Sequence, residues 1–122
     1  MIEVFCSGPK GGQLGEEFNS LLENYIYTAC EELKIKKKKK FEIEVLVFNK
    51  FPKETNHCLG YCYGDTSSIT IEITKDQEDF FLTLAHEMIH VKQFLEGRYP
   101  SEREADAGEL KLHQTVSEKI GY

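Results

Sequence analysis

Leu84-Ala85-His86-Glu87-Met88-Ile89-His90 is the stretch on which the reading of the chain turns. On an α-helix, His86 and His90 project from one face a turn apart, so two imidazole nitrogens can reach a single metal ion. Glu87 is offset from His86 by about 100°, beside such an ion rather than on it. From there a carboxylate can take a proton from a metal-bound water. Zinc lowers the pKa of that water towards about 7, which makes hydroxide available at neutral pH. The plain alternative is a chance pair of surface histidines. It is disfavoured by the apolar residues flanking the pair and by glutamate in the slot the chemistry requires.

Outward from the motif, Phe81, Leu84, Ala85, Met88, Ile89 and Val91 make this helix apolar around much of its circumference, which predicts a central position. Thr74 or Asp76 is expected to cap it, with Asp76, Glu78 and Asp79 in its first turn. It should run to about Glu96 and stop at Gly97. Tyr99-Pro100 breaks the chain. Ser101 then caps a last helix to about Lys119, and Glu104 completes a capping-box pattern. Upstream, residues 67–74 read as a strand with Ile69, Ile71 and Ile73 on one face. Residues 57–63 read as a second strand, joined to it as a hairpin by a turn at Gly64-Asp65. Phe41 to Phe48 alternates apolar and acidic residues and is a strand. Ile2 to Cys6 alternates as well. Phe18, Leu21, Leu22, Tyr25, Ile26, Ala29 and Leu33 mark a first helix over 16–33. The expected fold is α+β, with three helices and a mixed sheet of three or four strands. One domain spanning 1–122 is expected, since no repeat or linker interrupts the chain.

The 122 residues are 40% apolar and 30% charged, the balance of a globular domain. No apolar run approaches the roughly 20 residues that span a bilayer. Residues 1–12 lack a basic start followed by an apolar stretch, so a cytoplasmic protein with four reduced cysteines is expected. Net charge is −6. Residues 1–40 hold seven basic and six acidic side chains, which leaves eight and fifteen for residues 41–122, or −7 on the half that carries the motif. That excludes nucleic acid as a partner of this face. Lys36 to Lys40 reads as a solvated connector, because no aromatic residue or arginine interrupts it.

Two histidines do not complete a zinc site, which takes three protein ligands and one open position when catalytic. Residues 101–107 are the evident source of the third. Glu102 and Asp106 share a helical face, which Glu109 and His113 extend. Glu102 and Glu104 project about 200° apart, so only one of them can face the metal.

The pair His86-Glu87-Met88-Ile89-His90 and Glu102-Arg103-Glu104-Ala105-Asp106 resembles the gluzincin metallopeptidases in a minimal single-domain form. The wording around both motifs is similar to small metallopeptidases encoded by bacteriophages, over roughly residues 40–115. The resemblance implies a zincin-like fold, Zn2+ held by His86, His90 and Glu102, and Glu87 as general base. It makes Asp106 the carboxylate that orients a ligand histidine from behind. It further implies a peptide or protein substrate paired with a strand, either 57–63 or 68–74, and the host cytoplasm as the place of action. Only eleven residues separate His90 from Glu102, where larger relatives insert a subdomain. No motif places an oxyanion-stabilising His or Tyr; His113 and Tyr99 are candidates by proximity. A zinc-binding interaction module without turnover is the alternative reading. Cys58 and Cys62, near His57, read as ordinary strand cysteines, since four residues of strand span about 13 Å. Cys6 has nothing around it that marks it as a ligand.

Overall fold

A computed structural model of the chain describes residues 2–35, 40–51 and 58–122. Lys36 to Lys39 of the lysine run and His57 lie outside the described residues. The elements are β1 (Ile2–Ser7), a 3-10 turn (Pro9–Gly11), α1 (Glu16–Glu32), β2 (Phe41–Phe48), β3 (Gly60–Gly64), β4 (Ser68–Thr74), α2 (Phe80–Leu95) and α3 (Glu102–Ile120). The sheet order is β1-β2-β4-β3. β1, β2 and β4 run parallel, and β3 pairs antiparallel with β4. The result is an α+β arrangement of three helices on a mixed four-stranded sheet.

Alternation decides which side of the sheet is covered. Phe41, Ile43, Val45 and Val47 of β2 and Ile69, Ile71 and Ile73 of β4 are buried, while Glu42, Glu44 and Ser68 stay exposed. The buried rows meet Leu22, Tyr25, Ile26 and Ala29 of α1 and Leu84, Ala85 and Met88 of α2. Each fully buried Leu or Met of this kind contributes about 1.5–3 kcal/mol, so α2 is held in place by its apolar circumference. The hairpin turn is tied by Asp65, whose carboxylate accepts from Ser67 N, Ser67 Oγ and Ser68 N.

The start of α2 corrects the expectation. Thr74 is the last residue of β4, not a cap. Its N–H bonds Leu59 O, and Lys75 N bonds Phe48 O, so the chain is still tied to the sheet there. Gln77 then donates to Thr74 O. The helix begins only at Phe80, capped by Asp79, which accepts from Leu82 N. Asp76, Glu78 and Asp79 therefore precede the first turn, which holds no acidic residue. At α3, Ser101 caps as expected by accepting from Glu104 N. The return half of the capping box is missing, because the Glu104 carboxylate pairs with Arg98 instead. Among the described residues, no helix is long and apolar enough to cross a membrane.

Candidate metal centre

α2 and α3 approach closely because the facing residues are small. Ala105 is fully buried, and a Cβ added at Gly108 would lie 3.0 Å from Ile89 Cδ1. That approach brings the first turn of α3 against the histidine face of α2. Glu102 Oε2 lies 3.0 Å from His86 Nε2, and Glu102 Oε1 lies 2.8 Å from His90 Nε2. One donor atom from each of the three residues falls within 4.8 Å of the others. That is close enough for one ion at about 2 Å from each.

The atom that most needs a partner is His90 Nε2. It is buried and has no hydrogen bond, although Glu102 Oε1 is near, because the approach lacks hydrogen-bond geometry. Two imidazoles and a carboxylate form the donor set of a zinc site, and a cation there would satisfy this nitrogen. The residues present fit such an ion. Glu104, the competitor for third ligand, is turned to Arg98 and away from both imidazoles.

Around this triad the chain places further carboxylates. Asp106 Oδ1 is 3.4 Å from His86 Nδ1, and Glu109 Oε1 is 3.6 Å from the same nitrogen. Either can hold the proton on Nδ1 and leave Nε2 to face Glu102. Glu87 is buried beside the pair. Burial raises its carboxyl from 4.5 to about 7; His90 pulls it down, while Glu102 and Glu109 push it up. A carboxyl in that range can accept a proton and return it near neutral pH.

The three α2 and α3 ligand candidates, Glu87, Asp106 and Glu109 line a cleft of about 580 Å³. β3 forms its opposite wall. Gly60 is there because the wall lies close to the acid. A Cβ at this position would meet Thr83 Cγ2 at 3.0 Å and Glu87 Oε2 at 3.2 Å. Cys58 and Cys62 line the same wall, where sequence reasoning had them as ordinary strand residues. Burial, then the Glu87 charge, pushes the Cys62 thiol upward. Among the described residues, no disulfide joins the cysteines. Cys6 lies on β1, at the opposite edge of the sheet from β3.

Two expectations are corrected. His113 does not line the cleft. Its Nδ1 is 2.8 Å from the Tyr25 hydroxyl, in the layer between α1 and α3. Eleven residues of helix carry it about 16 Å along the axis from Glu102. Tyr99 is 95% exposed and also absent from the cleft lining. Glu109, on the face that Glu102 and Asp106 share, stands behind His86. Gln93 was missed altogether. It is fully buried, and its Oε1 lies 2.8 Å from His90 Nδ1. One signal was available: Gln93 extends the face of His86 and His90 at i+7.

Compared with known protein families, curated proteins and solved structures, the chain matches none.

Proposed function

We propose that the protein is a zinc-dependent peptidase with a zincin-like fold of the gluzincin kind, in which His86, His90 and Glu102 hold the ion. One observation carries the reading: a buried His90 Nε2 without a hydrogen bond faces a second imidazole and a carboxylate, with the raised Glu87 acid alongside. When bound, zinc supplies a Lewis acid for a carbonyl oxygen and lowers the pKa of the attacking water. Glu87 takes that water's proton and later delivers it to the departing amine. Its burial excludes bulk water and raises its proton affinity above that of an ordinary carboxylate. Asp106 and Glu109 hold the His86 ring from behind. An extended peptide fits the cleft because β3 lines it and, among the described residues, is an edge strand paired with β4 alone. Edge backbone groups can bond a bound chain. β4 is interior to the sheet and is not available for this.

The test begins with metal content of the purified protein, then hydrolysis of an unstructured polypeptide. Chelation should abolish turnover. Glu87→Gln should lower kcat/KM by about 10²–10⁴-fold while the metal stays bound. Turnover that survives Glu87→Gln would remove the assigned base. A protein that holds zinc and never turns over would be the interaction module instead.

A further inference from the structure

We infer that Gln93 is a positioning residue: it sets the tautomer of His90 and clamps the start of α3 to that same histidine. The argument begins with the backbone of Ser101. Ser101 N donates to Gln93 Oε1 at 2.9 Å, and Gln93 Nε2 donates to Ser101 O at 3.2 Å. Two bonds of opposite sense to one residue leave the amide a single orientation. Flipping it would set N–H against N–H and oxygen against oxygen.

The orientation has a consequence for His90. Oε1 is an acceptor only, and it lies 2.8 Å from His90 Nδ1. His90 Nδ1 must then carry the proton. In the neutral ring the lone pair falls on Nε2, the buried atom that faces Glu102 and has no hydrogen bond. The two halves of the donor set come from different helices, and one fully buried amide bonds His90 on the first and Ser101, the cap of the second. Ser101, which it grips, immediately precedes Glu102. The partner behind His90 is thus a neutral amide, whereas His86 has Asp106 and Glu109 behind it.

This inference rests on the metal centre proposed above, but its first measurement needs no metal. Nitrogen–proton correlation spectra of the histidine rings in chelator-treated protein at pH 8 report the tautomer directly. The wild type should show His90 protonated on Nδ1. Gln93→Met keeps the length and removes the acceptor, so it should mix the tautomers. Gln93→Glu keeps the acceptor and should restore the Nδ1–H form, although it loses the bond to Ser101 O and melts earlier. Zinc affinity, measured by competition with a chromogenic chelator, should fall about 10–100-fold in Gln93→Met and recover in large part in Gln93→Glu. A residue that only held the turn would lower the melting temperature in both variants and leave the tautomer alone. An Nε2–H form of His90 in the wild type would overturn the inference, and so would equal affinity in wild type and Gln93→Met. If the wild type binds no zinc, the centre fails while the tautomer result still stands on its own.

Discussion

His86 and His90 occupy the same face of one helix, yet their surroundings have little in common. The His90 side chain is 5% exposed, and its outer nitrogen is held by a neutral, buried glutamine. The His86 side chain is 15% exposed, and its outer nitrogen faces two carboxylates across 3.4 and 3.6 Å. The deep half of the cleft is set by packing. Leu84, Ala85, Met88 and Val91 are fully buried around it, and Glu87 is buried with them. The shallow half is set by charge. Glu102 is 72% and Asp106 67% exposed, carried on the polar first turns of α3. A metal centre spanning both halves inherits rigidity from α2 and opposite charge from α3. The two helices contribute by different physics, and each contribution can be removed alone.

The largest effect should come from cutting the link between the halves. Glu102→Ala removes the one carboxylate among the described residues that approaches both imidazoles. It should weaken zinc binding by more than 100-fold, beyond the loss typical of a supporting residue. Glu104→Ala, two residues on, should leave affinity unchanged, because that carboxylate serves Arg98. Isothermal titration of both variants checks the contrast. Equal losses would mean that total charge on α3, not the Glu102 position, holds the ion.

Next in size is the strain that the deep half carries without metal. Glu87 has a folded pKa of about 7 against an ordinary 4.5. The sign follows from linkage. A raised acid contributes its full stability below pH 4.5, and that contribution is lost as pH rises through 7. Chelator-treated wild type should therefore lose on the order of 2–3 kcal/mol between pH 4.5 and pH 8 relative to Glu87→Gln. Urea unfolding at the two pH values measures the difference. If wild type and variant change in parallel, the Glu87 carboxyl is not held near neutrality by burial.

The same contrast explains what could be read from the chain before any coordinates. Packing writes itself into periodicity, so α2, the alternating β2 and the triple isoleucine row of β4 were legible. So was the motif, because helical spacing alone makes neighbours of His86 and His90. What was not legible depends on pairing across distance. Thr74 and Asp76 have the local chemistry of helix caps. The bonds that Thr74 N and Lys75 N donate to Leu59 O and Phe48 O hold that segment to the sheet and delay the helix to Phe80. Gln93 finds its partner across the turn between α2 and α3, at a separation that no helical repeat predicts. His113 failed for the opposite reason: its helical face was right and its height along α3 was wrong.

The smallest expected effect tests the shallow half most finely. Asp106 and Glu109 lie at similar distances from His86 Nδ1, and neither makes a close hydrogen bond. Asp106 is exposed and Glu109 half-buried, and charges at such range are screened by solvent and salt, so neither should be decisive. Asp106→Asn and Glu109→Gln are each expected to weaken zinc binding by about tenfold or less, and the double variant by about 10–100-fold. Chelator competition in low and high salt provides the check. The single-variant losses should shrink as salt rises, whereas the loss in Gln93→Met, a neutral buried contact, should not. If Asp106→Asn alone produced the whole loss at both salt concentrations, His86 would have one dedicated partner in solution, and the shallow half would be built like the deep one.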